Sequence, residues 1–397
     1  MSVRCIRILA CAAMCLTALL GALELGAYLM NEYWSVPINV DGRTDFDHYR
    51  FRNARVEGVS VDGRPVGEAI QSLRNEGLPA VPLLSVAYFM DAQAGAKTRL
   101  NGVPVLPLSL APNTVGLYCN EHGSYARFLT DRYGFRNPDV AWDSKEHALL
   151  VVGDSIAMGA CLPLESSFVG RIRSRYPTLL NLAIGANGPL MDLATLREYL
   201  PVIKPAKVLW VYFENDLEDL ARDAANPILR RYEADPAFSQ QLLSKWDDLS
   251  GQVLQKTEEY LTAVRAAELA QRLLSKNWSL GRSYLVRRIR YWMRPSAPPT
   301  TMPPPERLVQ IMRNARDFAE QNESRFSVLY VPDCGAGEGR FDHAADEVLS
   351  GLRAHGITVI DSRPALSEIA RNKGRVFSFC PGGHITSDAS KAIAALL

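Results

Sequence analysis

The apolar positions of this chain change rhythm twice. From Ile8 to Leu23 the run ILACAAMCLTALLGAL is uncharged, with Arg4 and Arg7 before it and Glu24 after it. A helix that is apolar all round has no solvent face, so the run predicts a membrane-inserted segment rather than a helix of the body. Between about residue 32 and residue 140 the apolar pieces are short. RVEGVSVDG, LPAVPLLSVAYF and NGVPVLPLSL are each broken by Gly, Pro or Asn, without a clear helix ladder. They predict short strands and extended segments packed on something larger. From about residue 146 strand and helix patterns alternate. HALLVVGDS, LLNLAIGANGP, KVLWVYFEND, RFSVLYVPD and ITVIDS read as buried strands. SSFVGRIRSRY, LMDLATLREYLPVI, residues 341–354 and the stretch from about 387 carry helical spacing. The alternation predicts an α/β fold: a mostly parallel sheet, helices on both faces, chemistry at the carboxyl ends of the strands.

These rhythms divide the chain into a membrane anchor over 1–31, a strand and loop region over 32–140 and a catalytic domain over 141–397. A mostly helical insertion over 217–305 interrupts the last and closes with SAPPTTMPPP, a stiff spacer. The segment YLVRRIRYWMR mixes arginine with aromatics. It is expected to present a solvated helix face, with a membrane surface as the other possibility. Leu20 and Glu24 spoil the nearest cleavage sites, and Cys15 lacks the upstream leucine of a lipidation motif. Arginines before the run and Glu24 and Glu32 after it put the N-terminus inside. The expectation is an uncleaved, single-pass inner-membrane anchor with the body on the periplasmic side.

Composition narrows the function classes. In 397 residues, 47% hydrophobic and 22% charged content is ordinary for a globular protein. A formal net charge of +1 gives no argument for a nucleic-acid partner. Of seven cysteines, Cys5, Cys11 and Cys15 lie in or beside the anchor. Cys119, Cys161, Cys334 and Cys380 belong to the body, and in an exported protein they can pair in three ways. No pair has CxxC spacing, so no zinc site is expected.

Hydrolysis of an ester needs a nucleophile, a base and donors for the developing oxyanion. Each has a candidate at a strand end. Ser155 follows the first strand, the loop Gly185-Ala186-Asn187-Gly188 the second, Asn215 the third, and His384 opens the terminal helix. Singly, each has a plainer account. Gly-Asp-Ser is turn chemistry, Asn-Asp caps helices, glycines permit tight packing, and a lone histidine is commonly a satisfied one. In one parallel sheet the four ends converge on one edge, which favours catalysis. His122, His147, His343 and His355 have no comparable context.

Gly153-Asp154-Ser155, the loop from Asn181 to Pro189, Asn215-Asp216 and His384 resemble, in order, the four sequence blocks of the SGNH (GDSL-type) hydrolases. The resemblance covers roughly 130–220 and 325–397. It implies a three-layer α/β/α, flavodoxin-like sheet, Ser155 as nucleophile and His384 as base. It also implies an oxyanion hole from the Ser155 N–H, the backbone of Gly185 or Ala186, and Asn215, with no cofactor and no metal. YGFRNP and the anchor look like the membrane-tethered bacterial branch associated with envelope polysaccharides. Three positions depart from the pattern. The aspartate expected three residues before the histidine is Pro381. Either a Ser–His dyad operates, with a carbonyl orienting the imidazole, or another carboxylate supports it: Asp361 at a strand end, Asp388 one turn on, or Asp154 in the turn itself. Ala186 stands where a glycine is usual, which a negative φ would tolerate. Phe213 stands where a glycine usually precedes Asn-Asp. An α/β-hydrolase is excluded, because Ala157 takes the last place of Gly-x-Ser-x-Gly and no βα units lie upstream.

The expected activity is removal of O-acetyl or other short acyl groups from an envelope glycan through an acyl-serine. Two alternatives stay open. One is an O-acyltransferase passing the group to a polysaccharide hydroxyl, with a membrane acyltransferase as partner. The other is a catalytically silent glycan-binding scaffold of an export assembly.

Overall fold

The computed structural model describes residues 14–26, 51, 53–276, 302–334, 343–380 and 382–397. Residues 14–26 are helical. Among the described residues no helix is long and apolar enough to cross a membrane. The rest of the expected anchor, YLVRRIRYWMR and most of the proline spacer lie outside them. Residues 53–262 and 300–397 form one compact unit, which carries everything that follows except the last part of helix Trp246–Lys276, from residue 263 on.

Its first element differs from expectation. Helix α1 (Val66–Asn75) occupies the region read as free of helices. Ala69, Ile70 and Leu73 are buried and Val66 packs beside them, an i, i+3, i+4, i+7 face. The signal is present in VGEAIQSLRN, but glycines and prolines on either side obscure it. Strands β1 (Ala80–Pro82), β2 (Val115–Asn120) and β3 (Tyr125–Leu129) follow. They form a three-stranded sheet with β2 central, parallel to β1 and antiparallel to β3.

The core then runs β4 (Leu150–Val152), α2 (Ser155–Met158), α3 (Phe168–Ile172), β5 (Leu180–Asn181), α4 (Pro189–Ile203) and β6 (Lys207–Phe213). After β6 come α5 (Asp216–Asp223), α6 (Pro227–Ala234), α7 (Trp246–Lys276) and α8 (Pro305–Gln321). The chain finishes with β7 (Arg325–Val331), α9 (His343–Ala354), β8 (Thr358–Asp361), α10 (Arg363–Arg371) and α11 (Ser387–Leu396). All five core strands are parallel, in the order β5-β4-β6-β7-β8. Counted within the core this is 2-1-3-4-5, the flavodoxin-like doubly wound order. The crossover from β4 to β5 runs one way along the sheet and the later ones run the other. Crossovers of one hand therefore place their helices on opposite faces. Helices α4, α6, α8 and α9 pack together, and α3, α10 and α11 make a second group. Strand β4 is wholly buried, and β6 is buried from Val208 onward. A sheet covered on both faces reads as continuous apolar runs for this reason.

The YGFRNP turn fastens the two sheets together. Gly134 has φ +84°, and a Cβ there would lie 2.1 Å from the Leu110 carbonyl oxygen. The buried Arg136 guanidinium donates to the carbonyls of Met158 (3.2 Å), Gly159 and Leu162 (2.6 Å), at the end of α2 and just beyond it. Burial among uncharged acceptors lowers its pKa to about 10. Asn137 accepts the Asn181 N–H at 2.8 Å and donates to the Asn181 carbonyl at 3.0 Å. One short turn thus holds both the end of the Ser155 helix and the strand before the Gly185 loop.

Candidate active site

Ser155 stands at the switch point of the sheet, between β4 and β6. Gly153 makes the turn, with φ +144°. A Cβ there would lie 2.9 Å from both the Ala157 Cβ and the Val211 carbonyl oxygen, so only glycine fits. Asp154 caps α2, its Oδ1 accepting the Ile156 N–H at 2.9 Å. The Ser155 Oγ lies 3.5 Å from Asp154 Oδ2, at the limit of a hydrogen bond, and the residue is partly exposed. Burial pushes the Asp154 carboxyl up to about 6, while the Ile156 N–H and the nearby His384 pull it down. His384 is therefore within electrostatic reach of the residue beside Ser155.

His384 sits in a narrow loop closed by a bridge between Phe377 and Ile385 and by Ser378 N–H donating to the His384 carbonyl at 2.8 Å. Thr386 caps α11 immediately after it. The imidazole Nδ1 lies 2.8 Å from Glu121 Oε1. The His384 backbone N–H donates to Glu121 Oε2 at 2.9 Å, and the Ser378 hydroxyl donates to the same oxygen. Glu121 is 1% exposed, so these three donors meet a carboxylate shielded from solvent.

The carboxylate hydrogen-bonded to His384 is thus none of those expected. Asp361, at the end of β8, is bound by Arg363 at 2.7 Å. Asp388 is exposed in the first turn of α11. Glu121 is the first residue past β2, 263 positions from His384, in the region read only as packing. The available signal was a charged residue directly after an apolar strand, two positions from a cysteine. No spacing in the chain links it to the histidine.

Of the three cysteine pairings, the structure contains Cys119–Cys161, which ties the end of β2 to the loop after α2. The Cys161 Sγ lies 3.0 Å from His384 Nδ1. Cys334 and Cys380 are neighbours without a disulfide, the Cys380 Sγ 3.9 Å from the Cys334 carbonyl oxygen. Cys119, Glu121, Cys161 and His384 place four metal-ligating atoms within 4.8 Å of one another. The Tyr118 ring meets His384 edge to face at 5.9 Å. A Cβ on Gly185 would lie 3.2 Å from the Tyr118 hydroxyl, so this tyrosine spans from the imidazole to the glycine-rich loop.

On the oxyanion side, Ala186 has φ +62°, not the negative value expected of an alanine. Its carbonyl accepts from Arg222 at 2.8 Å, which helps hold a conformation that costs an alanine about 1–2 kcal/mol. Asn215 ends the β6 loop and uses one amide hydrogen on Asp219 Oδ2 at 3.2 Å. The amide's second hydrogen is the one suited to an oxyanion. Beneath this edge Asp154, Asp192, Asp216 and Asp223 are buried, with Asp219 beside them. Burial raises Asp219 to about 7 against the pull of Arg222, with repulsion from neighbouring carboxylates adding to it. Burial first, and repulsion from Asp154 and Asp192 second, hold Asp216 well above the ordinary range. Burial also raises Asp223 to about 6, against the pull of Arg222. Asp192 too is raised well above its ordinary value by burial, which outweighs the Asn187 hydrogen bond.

No protein-family model matches the chain, and no curated protein does. Among solved structures, the crystal structure of TesA matches with a TM-score of 0.29 and 14% identity, covering 63% of this chain and 94% of that one. What the site does rests on its own geometry.

Proposed function

We propose that this chain is a serine ester hydrolase of the SGNH type whose triad is Ser155, His384 and Glu121. One observation carries the reading: a buried carboxylate 2.8 Å from the Nδ1 of the histidine that closes the sheet edge where Ser155 is presented. Glu121 takes the Nδ1–H, which fixes the tautomer and leaves the Nε2 lone pair as the base. Nε2 removes the Ser155 proton as Oγ attacks the ester carbonyl, and Glu121 stabilises the imidazolium that forms. The Ser155 N–H, the backbone at Gly185 or Ala186 and the Asn215 amide meet the oxyanion. His384 then returns the proton to the departing alcohol, and water releases the acyl group by the same steps.

The substrate class in this reading is a short acyl ester, an O-acetyl group on an envelope glycan foremost. A Cys119–Cys161 disulfide supports an oxidising, extracytoplasmic setting for the body. A membrane anchor in 1–31 belongs to the same proposal.

The test is acetate release from an activated acetyl ester and from an O-acetylated glycan, comparing the wild-type chain with Ser155→Ala, His384→Ala and Glu121→Gln. Hydrolysis by the wild type and its loss in the serine and histidine variants is expected. A rate unchanged by Ser155→Ala would remove the reading.

A further inference from the structure

The site contains a second donor set folded into the first. Two sulfurs, one imidazole nitrogen and one carboxylate oxygen lie within 4.8 Å of one another. Cys119, Glu121 and Cys161 are buried, and the His384 side chain is 11% exposed. Two thiolates, a histidine and a carboxylate are a four-coordinate zinc set. No CxxC spacing announces it, because three separate segments contribute: the end of β2, the loop after α2 and the His384 loop. In the oxidised chain the sulfurs are spent on each other. Once that bond is broken they separate, and tetrahedral zinc with Zn–S near 2.3 Å asks for sulfurs about 3.8 Å apart.

We propose that reduction of Cys119–Cys161 converts this corner of the site into a Zn²⁺ site that switches the base off. A dithiol supplies two electrons and two protons, leaving its own disulfide and two cysteine thiols. Zn²⁺ then binds the two sulfurs, the Glu121 carboxylate and His384 Nδ1, and the two thiol protons go to solvent. The imidazole stays neutral, with its proton moved from Nδ1 to Nε2. An Nε2 that carries a proton cannot take one from Ser155, and Glu121 is no longer the partner of Nδ1. Glu121 and His384 thus serve hydrolysis while the disulfide is closed and hold the metal with the two sulfurs once it is open. The loss of activity rests on the hydrolase reading; the metal site does not.

The experiment uses the full chain, reduced with a phosphine, desalted without air and titrated with Zn²⁺ against a chromophoric chelator. Co²⁺ then serves as a spectroscopic substitute. The reduced wild type is expected to take one equivalent of Zn²⁺ at least about 100-fold more tightly than the oxidised chain, with a thiolate-to-cobalt absorption band. Cys119→Ser with Cys161→Ser should abolish tight binding, and Cys334→Ser with Cys380→Ser should keep it. Glu121→Gln, which retains both thiols, should weaken it by no less than the about 10–100-fold that outer-shell partners alone cost. That variant also distinguishes a folded site from thiols of an opened chain, which would not register Glu121. Equal affinity in the reduced and oxidised chains would overturn the proposal. So would tight binding that survives Cys119→Ser with Cys161→Ser, or that is lost with Cys334 and Cys380. Zn²⁺ bound as expected, with no activity in any form, would leave the metal site standing and count against the hydrolase alone.

Discussion

The two sheets of the folded unit divide the work unequally. The five-stranded core positions Ser155, Asn215, the Gly185 loop and the His384 loop at one edge, by a topology that places catalytic groups at strand ends in many α/β proteins. The three-stranded sheet before it has no such edge chemistry of its own. Yet it supplies Glu121, Tyr118 and one half of the disulfide from a single strand and the residue after it. In the proposed triad the core holds the nucleophile and the base, and the smaller sheet holds the carboxylate hydrogen-bonded to the base. A region that looks like packing from outside can hold a buried partner of a site residue.

Substitutions on the two sides of that division should differ in size. Ser155→Ala removes the bond-forming atom and is expected to lower kcat for acetyl-ester hydrolysis by about 10⁴–10⁶-fold. Glu121→Ala, on the other sheet, should lower it by about 10²–10⁴-fold with little change in KM. A Glu121→Ala rate within about threefold of wild type would make the smaller sheet a bystander and the site a dyad. Asp361→Asn and Asp388→Asn, the carboxylates on the core side, should each leave kcat within about twofold, since neither meets His384.

The next effect concerns stability. Arg136→Ala leaves the buried carbonyls of Met158, Gly159 and Leu162 without their donor and removes packing over Phe128. A loss of about 3 kcal/mol in chemical denaturation is expected, with a larger loss of activity than of fold. A shift under about 0.5 kcal/mol would show that the turn does not brace the two sheets.

The smallest expected effect is a pH slope. Asp154 and Asp223 rise to about 6 and Asp219 to about 7 in the folded chain, from an ordinary value near 3.8. Between those limits the folded chain binds more protons than the unfolded one. These groups therefore contribute stability that is fully present below pH 3.8 and is lost as pH rises to about 7. Asp219→Asn should flatten the fall in melting temperature measured from pH 5 to 8, relative to wild type. An unchanged slope would assign the pH dependence elsewhere.

The sequence showed the core and the smaller sheet with different clarity, for a physical reason. Parallel strands covered on both faces must be apolar throughout, so KVLWVYF and RFSVLYV are readable without a partner. The short strands of the first sheet need only their central neighbour and carry a weaker pattern. Helix α1 had its spacing in view but was hidden by the breakers around it. At the site, Gly153 and the strand-end position of Ser155 were legible because local turn chemistry fixes them, whereas His384 lies in the loop between α10 and α11 rather than at a strand end. Glu121 was not, since its pairing is made only by the packing of one sheet on another. The cysteines allowed three pairings, and only the fold selects among them. Asp361 and Glu121 make the point together: one ends a strand and the other follows one, and the difference lies in what each strand end faces.

The order of the proposed triad along the chain has a consequence during synthesis. Glu121 and Ser155 are made in the first half of the chain, whereas His384 follows 263 residues after the carboxylate. On this proposal a half-made chain carries its nucleophile without its base and is inert toward esters around it. Competence then arrives as one late event, when the His384 loop folds onto Glu121.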